Sequence, residues 1–558
     1  MPQATPGPTL GLEEELHLCD AASGELRSRA DELLPVLTSA AQRERLGPSG
    51  AVVAELPLSQ IETVTGVSAD VESLLGRALH LRSATAEAAS ALGLGLLAAG
   101  TPPLGDAAAQ TVSPDERYGR LRDRAAGLVG QQLIAGMHLH VGVGVADTAD
   151  WADGADGESA GEADDDARVA VVAALRPWLP ALLALTANSP YWLGSDTGFA
   201  SYRQVHWQRW PVAGPPPVTR DAQGWHRAVS ALVDAGVVDD ASYVYWDVRL
   251  ATRFPTVEVR IADVVPRLED AVGFVTVVRA LAAGALADHE AGRRAPEVEL
   301  TALRAATWRA ARYGLTDQLV DAATGSLAPA YEVLRSMLRA AEVGLEITGD
   351  GELARDGLAR VAREGNGADR QRRAFARFGW AGVLDVIRVD PAAALPRVTQ
   401  GDGNGWVECR CGQRHWGRHG AAGLLLSRPG EDGVEVLLQL RAPWTHQGGT
   451  WGLPGGARDS HESTTQAALR EAQEEAGVDP AVVGVLGEDR DDHETWSYTY
   501  VLAEAASGAN AAAANLESDA VEWVPVDEVA ARALHPAFAL AWPRLRSRLA
   551  DPTGVSGR

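Results

Sequence analysis

Three segments of this chain alternate apolar residues with charged or imidazole side chains, and a period of two is typical of a β-strand with one buried face. The segments are GLEEELHL at 11–18, MHLHVGVGV at 137–145 and TVEVRIA at 256–262, with Glu14 as an exception to the alternation. A fourth, ELPLSQIE at 55–62, supplies two more carboxylates, but its proline requires a break or a bulge. These segments predict an antiparallel sheet whose polar face carries Glu13, Glu15, His17, Glu55, Glu62, His138, His140, Glu258 and Arg260.

Two interpretations of that polar face are open. It is either the water-exposed side of an antiparallel sheet or a site that binds metal ions. A solvated face usually mixes Lys, Thr, Ser and Arg, whereas these segments collect Glu and His with glycines beside them. Converging carboxylates raise one another's pKa unless a cation neutralises them. Because oxygen ligands with an occasional imidazole suit Mg²⁺ or Mn²⁺ better than zinc, we expect a multi-metal nucleotide site.

A Pro- and Gly-rich stretch, PAAALPRVTQGDGNG at 391–405, follows a long helical region and marks the main domain boundary. Strands and amphipathic helices occur on both sides of it, so the predicted class is α+β with two domains. In the first half the helical patterns lie around residues 70–98, 116–134, 168–187, 268–290 and 297–313. A second stretch, 147–166, carries nine acidic residues and predicts a solvated surface loop. The predicted segments are domains at 1–390 and 405–548, a linker at 391–404 and a tail at 549–558.

Composition excludes several functions. The 558 residues include 50 basic and 75 acidic side chains, and the net charge of -25 disfavours binding to nucleic acid or anionic membranes. The sequence contains no lysine, which rules out lysine-dependent phosphate loops and Schiff-base chemistry. Three cysteines cannot form a disulfide framework. We expect no signal peptide, and Arg176 with two prolines interrupts the longest apolar stretch, 169–187. These features predict a cytoplasmic protein with small-molecule partners, and leave a homo-oligomer open.

The motifs of the first half resemble the glutamate–cysteine ligase type 2 family, also called carboxylate–amine ligases, over about residues 8–388. The resemblance implies a glutamine-synthetase-like antiparallel sheet with helices on one face. It also implies ATP-dependent formation of an amide, in which the side-chain carboxylate of L-glutamate becomes an acyl phosphate and an amine such as L-cysteine attacks it. It does not fix the amine acceptor. The motifs, in chain order, are GLEEELHL, ELPLSQIE, GMHLHVGV, ANSPYWLGSDTGFASYR, YWDVRL, TVEVRIAD, WRAARYGL and GNGADRQR.

The same resemblance assigns roles to residues of this sequence. Arg203 and Arg260 become candidates for binding glutamate or phosphate, since a guanidinium matches both. His138 is either an ATP-site residue or a structural histidine. Arg370 and Arg372 either contact phosphate or form salt bridges on a helix surface. The implied ligands of Mg²⁺ or Mn²⁺ and its nucleotide are Glu13, Glu15, Glu55, Glu62, His140 and Glu258.

The second half, from about 404 to 548, contains GARDSHESTTQAALREAQEEAGV beginning at Gly456, which resembles the Nudix hydrolase signature. The resemblance implies an α/β/α sandwich with a mixed sheet. On a helix, Glu471, Glu474 and Glu475 share one face, and without a cation they would repel. The alternative is a solvated acidic helix face. Ala472 departs from the larger aliphatic usual at its position.

Nudix membership implies Mg²⁺-dependent hydrolysis of a nucleoside diphosphate linked to a group X. The three helix glutamates are the implied metal ligands, Arg470 would orient a neighbouring glutamate, and Glu462 would reach the metal or anchor the loop. The general base stays open between Glu475 and Glu517. Three further residues are candidates for the nucleotide: Arg441 for phosphate, and Trp444 or Trp451 for a base, although a tryptophan in either position is more often a core residue.

Two questions stay open. The run Cys409-x-Cys411-x₃-His415-x₃-His419 has enough soft ligands for zinc, but it is also compatible with a strand entry carrying reduced thiols. The leading functional interpretation is a bifunctional enzyme. The alternative is that one domain is a non-catalytic nucleotide sensor that regulates the other.

Overall fold

The computed structural model describes residues 7–38, 50–114, 116–143, 164–322, 324–391, 406–412, 414–430, 433–441, 449–506, 511 and 518–550. The chain divides into two compact units, the N-terminal unit Met1–Val398 and the C-terminal unit Thr399–Arg558. Most of the predicted linker, acidic loop and tail lies outside the described residues. The exact limits of the predicted domains therefore remain a prediction.

The N-terminal unit is organised around a seven-stranded antiparallel sheet with the order β2-β3-β1-β5-β9-β8, in which β4 also pairs with β1. This is the predicted sheet, and all four predicted segments contribute to it. The proline-containing segment is broken as expected, because residues 55–59 separate β2 from β3. The strands of this unit are β1 (Leu10–Asp20), β2 (Gly50–Ala54), β3 (Gln60–Thr65), β4 (Leu94–Leu97), β5 (Gly136–Gly142), β6 (Tyr191–Trp192), β7 (Ser195–Asp196), β8 (Val248–Leu250), β9 (Thr256–Asp263), β10 (Gln318–Val320) and β11 (Leu327–Pro329).

Helices pack against this sheet and against one another. Those nearest the sheet are α2, α4 and α5. The helices of the N-terminal unit are α1 (Ala30–Leu37), α2 (Val71–Ala91), α3 (Glu116–Ala125), α4 (Asp165–Leu175), α5 (Leu179–Thr186), α6 (Tyr202–Trp207), α7 (Ala222–Asp234), α8 (Val272–Glu290), α9 (Leu300–Tyr313), α10 (Ala330–Thr348), α11 (Gly351–Glu364) and α12 (Gly367–Ile387).

Three predicted helices are shorter than their apolar pattern indicates. The pattern over 70–98 ends as a helix at Ala91, because Gly93 takes a left-handed conformation with φ 73°, and the remaining residues form β4. The pattern over 168–187 contains two prolines and splits into α4 and α5 across a short 3₁₀ turn. The pattern over 116–134 changes from α-helix to 3₁₀ helix after Ala125.

Glu14, the exception in the first strand, marks the side of the sheet that α2 covers. Its carboxylate is buried with Leu12 and Leu16, and it accepts two hydrogen bonds from Arg82 of α2, at 2.6 and 2.9 Å. Arg82 also donates to the carbonyls of Val265 and Pro266. The buried charge is therefore paired and fully hydrogen-bonded, which is the condition under which a core tolerates it.

Two helical stretches are long and apolar enough to cross a membrane by composition. They are Asp165–Thr186 and Leu268–Glu290, with mean hydropathy of 1.7 and 1.6. Within the fold, 83% of each apolar window is buried. Packing inside the N-terminal unit therefore accounts for their apolar character.

The C-terminal unit contains a second seven-stranded sheet, of mixed direction, with the order β16-β15-β14-β19-β18; β17 also pairs with β14 and β20 with β15. Strands β14 and β19 are parallel and the other pairs are antiparallel. Its strands, with the separate hairpin β12–β13, are β12 (Trp406–Glu408), β13 (Arg414–Trp416), β14 (Ala421–Gly430), β15 (Gly433–Arg441), β16 (Trp451–Gly452), β17 (Gly455–Ala457), β18 (Val483–Asp492), β19 (Ser497–Ala505) and β20 (Ser518–Pro525).

Two helices complete this unit, α13 (Thr464–Ala476) and α14 (Pro536–Ala550). The alanines of α13, including Ala472, pack with Leu424 and Leu426 of β14. Helix α14 packs Phe538 and Trp542 with Leu425 of the same strand. Because adjacent strand residues point to opposite faces, the two helices cover opposite sides of the sheet. This is the predicted α/β/α sandwich.

Candidate functional site

The strand register of the N-terminal sheet creates a cluster of carboxylates and imidazoles. Glu13 of β1 lies opposite His138 of β5, and Glu15 lies opposite Glu62 of β3. His140 of β5 lies opposite the next carboxylate, on β9. Directly opposed side chains share a face of the sheet. Three sets of three residues therefore have donor atoms within 4.8 Å of one another: Glu13–Glu62–His138, Glu13–His140–Glu258 and Glu15–Glu55–Glu62.

Glu13 lies at the centre of this cluster. Its Oε2 is 3.3 Å from His138 Nδ1, and its Oε1 is 3.2 Å from His140 Nε2. Burial raises the pKa of Glu13, but the two histidines outweigh it and hold the pKa well below its usual range. Burial lowers the pKa of His140, and the negative charge of Glu13 outweighs that effect and raises it. Burial and the Arg260 guanidinium lower the pKa of His138. The surroundings therefore favour the neutral form of His138 and the protonated form of His140.

Glu62 is surrounded by other carboxylates. Burial raises its pKa well above the usual range, and Glu13, Glu55 and Glu15 raise it further. A carboxylate in this position either keeps its proton or shares a cation with its neighbours. The donor set here consists of carboxylate oxygens with imidazole nitrogen beside them, which are ligands that Mg²⁺ and Mn²⁺ accept. The residues present therefore fit a divalent cation.

Glu258 is neutralised differently. Its Oε2 accepts from Arg249 Nε at 2.7 Å, and its Oε1 accepts from Arg260. Burial raises the pKa of Glu258, but these two arginines outweigh it and lower the pKa far below the usual range. Sequence reasoning missed Arg249, although the quoted motif YWDVRL contains it and β8 places it opposite Glu258.

Arg203 is buried, and two of its guanidinium nitrogens donate to the backbone while its Nε has no hydrogen-bond partner among the described residues. It donates to the carbonyls of Ile261 and Arg260 at 3.3 and 3.1 Å, and it lies over the ring of Trp207. Gly136 is required beside it, since a Cβ there would lie 2.2 Å from Arg203 Nη2. This geometry fits a positioning role better than direct contact with substrate. Arg260, which also lies over the Trp207 ring, faces the cluster through its pair with Glu258.

In the C-terminal unit, Arg470 joins two carboxylates of the signature. It donates to both oxygens of Glu462, at 2.8 and 3.0 Å, and to Glu471 Oε1 at 2.8 Å. Arg470 and nearby hydrogen bonds lower the pKa of Glu462, although burial opposes the shift. Gly456 leaves room for the other carboxylate, because a Cβ there would lie 2.5 Å from Glu471 Oε1. The geometry favours an anchoring role for Glu462.

Glu475 is buried and accepts from the backbone N–H of Gly455 at 2.7 Å, which ties helix α13 to β17. The helix begins with a capping box at Ser463 and ends at Gly477, whose φ of 64° is left-handed. Glu474 lies on the same helix, but its side chain is outside the described residues, as are Trp444 and Glu517 entirely.

Tyr498 of β19 is a neighbour of this site that the sequence did not indicate. Burial raises its pKa well above the usual value, and Glu475 and Glu471 contribute to the shift while Arg441 opposes it. A Cβ added to Gly423 would lie 2.2 Å from the Tyr498 hydroxyl oxygen, and a Cβ added to Gly455 would lie 2.9 Å from it, so both glycines leave room for this hydroxyl. Trp451, in contrast, packs in the core.

Comparison with known proteins agrees with both sets of motifs. Residues 9–388 match the model of the glutamate-cysteine ligase family 2. The chain belongs to this family. Relatives provisionally named glutamate–cysteine ligase 2 are 40% identical over 69% of this chain in Frankia alni, 39% over 68% in Mycobacterium sp. strain KMS and 35% over 66% in Rhodopirellula baltica. The match spans 97% and 93% of the last two relatives but 42% of the Frankia protein.

Residues 417–543 match the NUDIX domain model, so the family 2 ligase region is followed by a Nudix domain. The solved Nudix hydrolase RenU from M. smegmatis is 47% identical to this chain. The match covers 28% of this chain and 100% of RenU, with a TM-score of 0.26. The glutamate–cysteine ligase of Francisella tularensis, solved with AMP, has a TM-score of 0.50 at 12% identity, covering 69% of this chain and 88% of its own. The latter similarity concerns the fold only.

Residues of the motifs ANSPYWLGSDTGFASYR and GNGADRQR form a hydrogen-bonded network of their own, separate from the carboxylate cluster. Asp263 accepts from the backbone of Asn188 and from two serine hydroxyls of the ANSPYW…FASYR motif. Gln371 donates to Asn188 Oδ1 at 2.7 Å. Arg370 forms a bidentate pair with Asp270, and Arg372 pairs with Asp196 at 2.9 Å. Both arginines therefore form salt bridges, that of Arg372 at the surface as the alternative expected and that of Arg370 in the buried interior.

Proposed function

We propose that the N-terminal unit is an ATP-dependent carboxylate–amine ligase that activates the side-chain carboxylate of L-glutamate as an acyl phosphate and transfers it to an amine such as L-cysteine. The observation that carries this proposal is the buried cluster in which Glu62 faces three further carboxylates. Such a cluster is costly without a cation. Membership of the glutamate–cysteine ligase family 2 supports the choice of reaction.

The residues proposed to hold Mg²⁺ or Mn²⁺ with the nucleotide are Glu13, Glu15, Glu55, Glu62 and His140. When bound, the cation supplies charge neutralisation of the phosphate oxygens, which lowers the barrier to nucleophilic attack. Arg260 is the proposed contact for the glutamate or phosphate anion, and Arg249 holds Glu258 so that Arg260 stays oriented. Arg203 supports the strand beneath them.

A hydroxylamine trap tests this proposal without knowledge of the acceptor. The full chain is incubated with ATP, Mg²⁺, L-glutamate and hydroxylamine, and formation of the glutamyl hydroxamate and ADP is measured. We expect both products, and we expect Glu62→Gln to lose them while Glu25→Gln, a change at an exposed carboxylate, retains them. A wild-type protein that binds ATP yet forms no hydroxamate with glutamate would refute this proposal and favour a regulatory role.

For the C-terminal unit, the proposed reaction is Mg²⁺-dependent hydrolysis of a nucleoside diphosphate linked to X. Glu471, Glu474 and Glu475 are the proposed metal ligands, and Arg470 orients Glu471. The supporting observation is the pair of restraints on the helix carboxylates: Arg470 holds Glu471, and the Gly455 N–H holds Glu475. Fixed carboxylates of this kind are prearranged for a metal.

A nucleotide panel tests the second proposal. The full chain is incubated with dinucleoside polyphosphates, nucleotide sugars and oxidised nucleoside triphosphates, with and without Mg²⁺, and products are identified by mass spectrometry. We expect Mg²⁺-dependent cleavage within the diphosphate of at least one class. Tight binding of a nucleotide with no cleavage at any Mg²⁺ concentration would instead identify a sensor domain.

A further inference from the structure

The hairpin β12–β13, just before the region that matches the Nudix model, brings thiols and imidazoles together. Cys411 Sγ lies 3.1 Å from His415 Nε2. Cys409, Cys411 and His415 have donor atoms that all lie within 4.8 Å of one another. Neither proposed reaction uses these residues. The hairpin strands have three residues each, and a hairpin that short has little core to stabilise it.

A second imidazole approaches the cluster from the turn between β18 and β19. The ring of His493 lies 4.6 Å from the ring of His415, measured between centroids. The His493 carbonyl accepts a hydrogen bond from the Cys409 thiol at 2.7 Å. The same turn supplies Thr495, whose hydroxyl is 3.2 Å from Cys409 Sγ. Two segments that are distant in sequence therefore meet at one group of soft ligands.

We propose that Cys409, Cys411, His415 and His493 bind a structural zinc ion that fastens the β12–β13 hairpin to the β18–β19 turn. Two thiolates and two imidazoles are a usual donor set for tetrahedral zinc. With Zn–S near 2.3 Å and Zn–N near 2.0 Å, donor atoms should be about 3.3–3.8 Å apart. The observed 3.1 Å between Cys411 and His415 is close to that spacing. On binding, the two thiol protons leave to solvent and Zn²⁺ takes their place, with no change of oxidation state.

This assignment changes the expected fourth ligand. The sequence spacing suggested His419, but the three-residue donor cluster includes neither His419 nor His493 and does not decide between them. We assign His493 because its ring centroid lies 4.6 Å from that of His415 and its carbonyl accepts from the Cys409 thiol, so a rotation of its side chain would bring an imidazole nitrogen to the cluster. His415 also stacks on Trp496, 4.3 Å away at an angle of 7°, and Trp496 Nε1 donates to the Gly417 carbonyl at 2.8 Å.

Metal analysis of the full chain tests the proposal. The protein is purified in buffer containing zinc, dialysed, and its zinc content measured by mass spectrometry; we expect close to one tightly bound zinc ion per chain. Replacement by Co²⁺ should produce a sulfur-to-cobalt charge-transfer band and the visible bands of a tetrahedral site, which Mg²⁺ at the carboxylate sites cannot produce. A wild-type protein without stoichiometric zinc, or an octahedral cobalt spectrum, would overturn the proposal.

Variants identify the ligands. Cys411→Ser, His415→Gln and His493→Gln should each lower zinc occupancy at least tenfold, whereas Cys19→Ala and His419→Gln should retain it. A chelator should lower the melting temperature of the wild-type protein, and added zinc should restore it. Retention of zinc by His493→Gln, with loss in His419→Gln, would overturn the assignment of the fourth ligand. A thiol titration under denaturing conditions that finds only Cys19 reactive would show a Cys409–Cys411 disulfide instead of a zinc site.

Discussion

The pair Glu471→Gln and Glu462→Gln separates a metal ligand from an anchoring residue in the Nudix domain. Both side chains contact Arg470, but differently: Glu462 accepts two hydrogen bonds from it and Glu471 accepts one. Both substitutions keep the size of the side chain and remove one negative charge, and at Glu471, which lies on α13, glutamine also keeps the helix propensity. We expect them to have opposite effects on catalysis and stability.

Removing the charge of Glu471 should cost several kcal/mol of transition-state stabilisation if it binds the metal. Since about 1.4 kcal/mol corresponds to a factor of ten in rate, hydrolysis should fall by roughly a hundredfold or more. Stability should change little. One charge-assisted hydrogen bond is weakened, but repulsion along the helix from Glu474 and Glu475 is also relieved.

Glu462→Gln should do the reverse. It weakens a bidentate pair whose side chains are 28% and 11% exposed for Arg470 and Glu462. Charge-assisted hydrogen bonds contribute about 1.5–3 kcal/mol, and partial solvation reduces the expected loss to about 2 kcal/mol. At roughly 2–4 °C per kcal/mol for a domain of this size, the Nudix transition should fall by about 4–8 °C. Activity at low temperature should fall less than tenfold.

The assay is a steady-state rate at saturating Mg²⁺ with the best substrate of the panel, together with a thermal melt of each full-length variant. Hydroxamate formation by the ligase domain provides an internal control for intact protein. If Glu471→Gln hydrolyses nucleotide at the wild-type rate, the helix carboxylates are only a solvated face. If Glu462→Gln loses as much activity as Glu471→Gln without loss of stability, then Glu462 binds metal.

Further predictions concern both units. Glu62→Gln should stabilise the metal-free protein at neutral pH. The pKa of Glu62 is raised, so its contribution to the stability of the fold falls as the pH rises above 4.5. Thermal melts in the presence of a chelator measure this effect, and an unchanged or lower melting temperature would contradict it. Glu462 has a lowered pKa, so its contribution should be present above pH 4.5 and lost on acidification, which a comparison of wild type and Glu462→Gln across pH would reveal. Arg370→Ala should cost about 3 kcal/mol, because buried Asp270 loses its bidentate partner and keeps only Arg360, 3.8 Å away. Arg370→Ala/Asp270→Ala should recover stability with a normal KM for ATP; a raised KM in the double variant would assign Arg370 to the nucleotide. Cleavage at a protease site inserted within 391–404 should release two folded fragments, each retaining its own activity, and aggregation of both would refute the domain limits.

The strands of the ligase unit could be predicted because alternation is a local property. Partner choice could not, since the register of β1 against β3 and β5 depends on distant residues such as Glu13 and His138, which are 125 positions apart. The pair between Arg370 and Asp270, 100 residues apart, likewise depends on long-range packing. The same limit applies to Tyr498 and His493, which reach their sites from a separate strand and turn. Arg249 meets Glu258 across the neighbouring strands β8 and β9, only nine residues apart, so its absence from the predicted site was an oversight and not a limit of the sequence.

The two ends of the ligase cluster neutralise their charge in different ways, and this bears on where a cation is needed. At one end Glu258 is saturated by Arg249 and Arg260, so a metal would have to displace an arginine to reach it. At the other end, burial raises the pKa of Glu62, and the neighbouring carboxylates of Glu13, Glu55 and Glu15 raise it further. His138 and His140 lie between them and are matched to Glu13. Binding of the cation should therefore be strongest at Glu15, Glu55 and Glu62. The Glu258 end, where Arg249 and Arg260 lie, is better suited to an anionic substrate. A phosphate or carboxylate placed between the two ends would meet the metal ion on one side and the guanidinium groups on the other.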